Sequence, residues 1–319
     1  MDEMYLRLNE CRRIDRQMKI GAAAWGFREL LLEEQLKICR ENGLYSLELG
    51  IANAPKDLPL GADNGKLNHV RKAYRQANIR LEFAATGDDF MTEDEMKEQI
   101  QISKIQQVID ICSFLQIPYL RIFAGFVPLE QMTEKLWKHT EEALDECAAF
   151  AAQRKVVLAV ETHGAVLPYR SGIRHVDTIT TDLSSLERLK REIRDDILFV
   201  PDGANLAAAG HMNVEEYYRL LSGRIAYSHI KNFRRKVDGS IEPSSVGDGI
   251  LDWTPLLTIL RETGKACMIE YELPLSIREG CRESVRQLKS WGIQLEAETS
   301  SNSYYIGMPK RNGGNMRHG

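Results

Sequence analysis

Residues 156–164, VVLAVETHG, attach two side chains suited to proton transfer and metal ligation to a stretch built like a buried strand. Five apolar residues, three of them valine, are too few for a typical helix. They stand between Arg154-Lys155 and Gly164, as in a strand covered on both faces. Side chains along a strand alternate with a period of two, so Glu161 and His163 at its C-terminal end point the same way. Other apolar runs end similarly: ILFVPD at Asp202, IAYSH at His229, and CMIEYE at Glu270 and Glu272. Singly, each is more often a surface or capping side chain than a ligand. Four on consecutive strands are harder to dismiss.

Glu161, Asp202, His229 and Glu270 make a mostly hard donor set, suited to Mn²⁺ or Mg²⁺ more than to a structural zinc. Mn²⁺ is the expected ion, with Mg²⁺, Co²⁺ and Zn²⁺ as alternatives. Four protein ligands leave two positions of an octahedral ion for the adjacent hydroxyl and carbonyl oxygens of a sugar. A cation there polarises the carbonyl and stabilises the enediolate left when a neighbouring C–H loses its proton.

Positioning these residues requires a regular scaffold. Strands are expected at 19–24, 45–49, 80–84, 119–123, 156–160, 197–200, 225–229 and 267–270. Helices are expected near 30–41, 64–76, 92–115, 129–153, 184–191, 254–263 and 276–291, with one more beginning at 213. Capping-box spacing at Thr92 to Glu95 and Ser184 to Glu187 marks two starts, and Asn213 with Glu216 marks a third. The loops 165–181 and 230–252 are long, the first holding Pro168, Tyr169, Arg170, Arg174 and His175; long ordered loops tend to be functional. Successive strands lie roughly 25 to 42 residues apart, the cadence of a single (β/α)8 barrel over 19–291. Residues 1–18 then form an N-terminal extension and 292–319 a polar tail. A doubly wound sheet competes, but the first strand–helix turn lacks G-x-G-x-x-G, no phosphate-binding P-loop occurs, and an open sheet would spread these strand-end residues along an edge.

Composition fits this scaffold. Of 319 residues, 43% are hydrophobic and 28% charged, with a net charge of −4, so no nucleic-acid-binding surface is indicated. Six cysteines without a C-x-x-C pair read as buried free thiols, and no segment reads as a membrane span or signal peptide, so the expected location is cytoplasmic.

The pieces LAVETH, FVPDGAN, YSHIKN, VGDGILDW and MIEYE, in that order, resemble the xylose-isomerase-like barrels of sugar isomerases and epimerases, with inosose dehydratase and, more distantly, endonuclease IV. The resemblance implies a metal held by Glu161, Asp202, His229 and Glu270, with Glu161 and Glu270 as proton acceptor and donor on opposite sides of the substrate. It also implies a substrate-binding Arg235; Trp25, Asn205, Lys231 and Glu272 complete the candidate substrate contacts. One departure is Asn205, where epimerases usually carry a histidine; an amide hydrogen-bonds a sugar oxygen but transfers no proton near neutral pH. His163 either supplies acid–base function or only hydrogen-bonds its surroundings. Together with KIGAAAWGFREL at the start, these features look like the large subunit of bacterial C-glycoside deglycosidases. That would imply β-elimination of an aglycone from a 3-oxo-C-glycoside, a small β-rich partner subunit, and an oligomer. Isomerase or epimerase chemistry on a ketose is the alternative. An endonuclease-like nuclease fits the charge poorly, and a non-catalytic binding scaffold is the bland reading.

Overall fold

Short apolar runs alternating with helices fold into a ring of parallel strands in the computed structural model, which describes residues 17–296. The strands are β1 (Ile20–Ala22), β2 (Leu49–Gly50), β3 (Phe83–Ala85), β4 (Tyr119–Ile122), β5 (Val157–Glu161), β6 (Leu198–Val200), β7 (Ser228–Ile230) and β8 (Cys267–Ile269). Parallel pairing runs from β2 through β6, and from β7 through β8 to β1. Two joins connect these arcs. Ala22 pairs with Leu47 just before β2, while Phe199 with Ile225 and Asp202 with His229 tie β6 to β7. Backbone bonds from Ala22 N to Ser46 O (3.0 Å) and from Ala226 N to Phe199 O (2.9 Å) lie at those joins. The (β/α)8 TIM barrel expected from the strand cadence is the observed fold.

The period of two explains the interior. Ala23, Phe83, Ala159, Val200, Tyr227 and Met268 pack together as a core cluster of their own, with the Phe83 and Tyr227 rings 4.5 Å apart. Two residues onward from four of these stand Glu161, Asp202, His229 and Glu270, on the same face of each strand but nearer the C-terminal rim. The next step along β5, β7 and β8 reaches His163, Lys231 and Glu272. The opposite strand faces, including Leu120, Leu158, Phe199 and Ile269, pack in the larger core with helical residues. Each such buried side chain contributes roughly 1.5–3 kcal/mol.

The helices are α1 (Leu32–Glu41), α2 (Asn64–Ala77), α3 (Glu95–Leu115), α4 (Glu134–Ala152), α5 (Leu183–Glu192), α6 (Gly203–Ala209), α7 (Val214–Leu220), α8 (Thr254–Thr263) and α9 (Ile277–Ser290). Two expected caps move. Asp94, not Thr92, caps α3, accepting from Met96 N and Lys97 N at 3.1 and 3.2 Å, and Asp182, not Ser184, caps α5 through Ser185 N at 2.8 Å. An ionised carboxylate is the better acceptor for helix N–H groups. Asn213 occupies the N-cap of α7 but bonds the Glu216 side chain instead of the backbone. Helix α6 was not foreseen; Asp202 caps it by accepting from Asn205 N (2.9 Å).

The two long loops are not irregular. Strands Ala165–Tyr169 and Gly172–Val176 form one hairpin, and Asn232–Arg235 with Ile241–Ser244 form another. Ile241 pairs with Ile173 and merges them into one four-stranded antiparallel sheet beside the rim. Pro168, which has no N–H, lies in an edge strand of that sheet. At the chain ends, Gln17–Met18 pairs in parallel with Gln294–Leu295. Cys39, Cys112, Cys147, Cys267 and Cys281 are free and buried, as expected; Cys11, the remainder of the N-terminal extension and the tail beyond 296 lie outside the described residues. Among the described residues, no helix is long and apolar enough to cross a membrane.

Candidate functional site

The ring converts similar strand ends into a cluster. Glu161, Asp202, His229 and Glu270 each offer a ligand atom, all within 4.8 Å of one another, and all four residues are buried. His229 Nδ1 faces Glu161 Oε1 at 3.4 Å and Glu270 Oε1 at 3.8 Å. Asp202 divides its carboxylate: Oδ1 caps α6, while Oδ2 lies 3.2 Å from Lys231 Nζ. Lys231 also contacts Glu270 Oε2 and Glu272 Oε1, both at 2.6 Å.

Two residues absent from the sequence-based site complete it. Arg121 on β4, 2% exposed, sets Nε 3.2 Å from Glu161 Oε2, donates to Thr86 O at 2.9 Å and lies over the Phe123 ring. Glu48, fully buried, is 3.3 Å from His229 Nε2 and accepts hydrogen bonds from Tyr227 OH and from Ala24 N (3.0 Å). The available signal was a charged residue inside an apolar run, YLRIF and YSLELG. In an alternating strand that pattern equally describes a solvent-facing position.

Electrostatics define what the cluster lacks. Glu48, Glu161, Asp202, Glu270 and Glu272 face the permanent cations Arg121 and Lys231 and one histidine. Burial raises the Asp202 carboxyl to about 7, with Lys231 opposing and Glu161 and Glu270 adding to the rise. Burial likewise outweighs Lys231 at Glu272 and raises it. Burial would lower His229, but Glu161, Glu270 and Glu48 hold it well above the usual range. Burial would raise Glu161, but His229 and Arg121 keep it well below. These opposite shifts describe a buried pocket short of positive charge, which retains protons in its place. Among the described residues, the Asp202 Oδ2 and His229 Nδ1 atoms have no hydrogen-bond partner, despite their ion-pair distances. Ligand bonds of about 2.0–2.3 Å put opposite donors of one ion about 4–4.6 Å apart, close to the spacing found here. Donor type, spacing, charge deficit and unpartnered atoms fit a divalent cation.

The remaining sequence candidates separate into two groups. Asn205 is buried at the cluster, donating from Nδ2 to Glu161 Oε1 (3.3 Å) and Thr162 O (3.1 Å); with two acceptors there, its Oδ1 must point the other way, where it has no partner among the described residues. His163 is partly buried, its Nδ1 bonded to Gly164 O at 2.7 Å, and its ring meets Phe123, Phe126 and His175. Burial depresses its pKa to about 4, despite Glu161, leaving it neutral. Glu272 sits at the rim against Lys231. Trp25 stands in the 3-10 turn after β1, under the Arg28 guanidinium, which also bonds Glu272 O. Arg235 does not join the group: its strand leaves the barrel as a hairpin, and it is exposed, bonding Gly239 O at 3.4 Å.

A xylose isomerase-like TIM barrel family model matches residues 36–291, and the chain belongs to that family. No curated protein gives a significant match. Among solved structures, the chain is similar to the probable 3-DHS dehydratase AsbF involved in petrobactin synthesis from Bacillus anthracis, at 15% identity and a TM-score of 0.66 over 85% of this chain and 99% of that one. It is also similar to the IOLI protein with a bound zinc atom, at 17% identity and a TM-score of 0.66 over 86% and 97%. A third is 3-keto-D-glucoside 4-epimerase YcjR from E. coli, at 15% identity and a TM-score of 0.61 over 86% and 100%. At these identities the likeness is one of fold.

Proposed function

We propose that this protein is a divalent-metal-dependent enzyme that removes a proton beside a carbonyl of a sugar-like substrate and returns it, as an isomerase or epimerase does. The observation carrying this reading is the buried, positively undercompensated cluster of Glu161, Asp202, His229 and Glu270 at the barrel rim. A cation bound there would polarise the substrate carbonyl and offset the negative charge that grows on its oxygen. Mn²⁺ is the first choice on donor hardness; the zinc bound by the IOLI protein makes Zn²⁺ the second.

The chain's own groups supply the rest. Glu161 is held ionised, with Oε2 fixed by Arg121, and accepts the proton from carbon. Glu270, across His229 from Glu161, returns a proton to the opposite face. Lys231 and Glu272 bind substrate hydroxyls, and Asn205 Oδ1 accepts from one. Neighbours named as epimerases put this outcome ahead of the elimination that the sequence reading ranked first.

Elimination remains the second reading. Asn205 is the observation favouring it, because the amide standing where epimerases usually carry a histidine binds a sugar oxygen but moves no proton. In that reading Glu161 takes the proton at C2 of a 3-oxo-C-glycoside, the C1–aryl bond breaks as a C1=C2 double bond forms, a proton passes from Glu270 to the departing aryl carbon, and a small β-rich subunit assists. The 3-keto glucoside named for the E. coli neighbour keeps that substrate class in the test.

The experiment is metal analysis of native protein, then incubation with free ketoses and a 3-oxo-glucoside in D₂O, alongside Glu161→Gln. Stoichiometric metal with deuterium entering a ketose, lost in the variant, supports the first reading. Aglycone release with a co-purifying small subunit supports the second. Absence of both metal and exchange removes both.

A further inference from the structure

We propose that Glu48 is a positioning residue that dictates which nitrogen of His229 carries the proton, and thereby aims the other at the candidate metal site. The inference rests on the metal-site reading above. An imidazole between two sets of carboxylates has no inherent preference: Nε2 is 3.3 Å from Glu48 Oε1, and Nδ1 is 3.4 Å from Glu161 Oε1. Ligation requires a bare nitrogen on the cluster side, and therefore N–H on the Glu48 side.

Glu48 is built to hold that N–H. Its Oε2 accepts from Ala24 N (3.0 Å), and Tyr227 OH donates to Oε1, so both oxygens are committed as acceptors. No water-filled surface intervenes, as Glu48, Tyr227 and His229 are all fully buried. A glutamine cannot substitute. Its NH₂ would oppose either the Ala24 N–H or the Tyr227 hydroxyl and His229 Nε2–H, and in the second orientation it invites the proton onto Nδ1, where it blocks ligation. Glu161 and Glu270, by contrast, are candidate ligands themselves, so Glu48 is the carboxylate left to orient the ring.

The test compares wild type, Glu48→Gln and Tyr227→Phe of the full chain. Zn²⁺ affinity is measured by competition with a chromophoric chelator. The His229 tautomer is read from ¹⁵N spectra of Zn²⁺-loaded, ¹⁵N-histidine-labelled protein, assigned by loss of the signal in His229→Asn. Expected are an Nε2–H tautomer in wild type and Tyr227→Phe, and a roughly 10–100-fold weaker Zn²⁺ affinity in Glu48→Gln. A wild-type proton on Nδ1 overturns the proposal without any variant. A Glu48→Gln protein that melts earlier but keeps wild-type Zn²⁺ affinity also overturns it, assigning Glu48 a structural role only. Wild type that binds no Zn²⁺ overturns the metal site and the lock together.

Discussion

Asp88 makes the buried electrostatics of the rim measurable through stability. It follows β3 and is 5% exposed; among the described residues it forms no ion pair, and its two oxygens accept from Phe123 N, at 3.0 and 3.2 Å. Burial pushes its pKa up to about 8, with the Phe123 N–H, Arg121 and Lys104 only partly offsetting. The folded protein thus prefers the protonated acid, whereas the unfolded chain releases that proton near 3.8. Asp88 therefore contributes its full stability below about pH 4 and loses it as pH rises, until its folded pKa near 8. The slope is about −1.4 kcal/mol per pH unit, or about 4 kcal/mol lost by pH 7 and about 6 by pH 9. Asp88→Asn mimics the protonated acid and does not titrate. Urea unfolding of both proteins at pH 4, 5, 7 and 9 should show near-equal stabilities at pH 4 and a widening advantage for the variant above it. A difference independent of pH, or one that favours wild type more at pH 9 than at pH 5, would refute the reasoning.

Lys231→Met leaves Asp202, Glu270 and Glu272 facing one another without the ammonium that bridges them. The metal-free protein should lose about 3–5 kcal/mol, and Mn²⁺ should raise its melting temperature more than that of wild type; equal metal shifts would speak against a shared cation site. Asn205→Asp is nearly isosteric but sets a carboxylate against Glu161 Oε1 and Thr162 O. Thermal unfolding at pH 8 should fall by several degrees and recover towards pH 5, and an unchanged melting temperature at pH 8 would contradict the Asn205 orientation. Gly21 lies in β1, where an added Cβ would stand 2.7 Å from the Ser46 carbonyl oxygen. Gly21→Ala should therefore cost about 1–3 kcal/mol in urea unfolding, because backbone must move, and a neutral effect would show that β1 and β2 are less tightly joined than they stand here.

Much of the site was legible because strand chemistry is local. A valine-rich run ending in Glu161 announces a buried strand, and the period of two predicts that Glu161 and His163 share a face. The same reading at Asp202, His229 and Glu270 located four residues that the barrel gathers within 4.8 Å. The loops were harder. Residues 165–176 and 232–244 pair across two separate excursions, and the single contact merging them, Ile241 with Ile173, spans far more sequence than a local pattern reads. Arg235 was implied by the family resemblance alone, and the hairpin carries it outward. The caps at Asp94 and Asp182 went to neighbouring carboxylates, because acceptor strength outweighed the capping-box spacing.

By itself, the sequence determined the alternation of strands and helices, and hence a barrel, together with the donors at the ends of β5 to β8. Only the tertiary structure decided how those donors are charged and oriented. Glu48 meets His229 across 181 residues of chain, and Arg121 meets Glu161 across the β4–β5 pairing. Side-chain periodicity is set by the backbone of each strand alone, while the protonation of a buried carboxylate depends on every charge that the closed ring brings beside it.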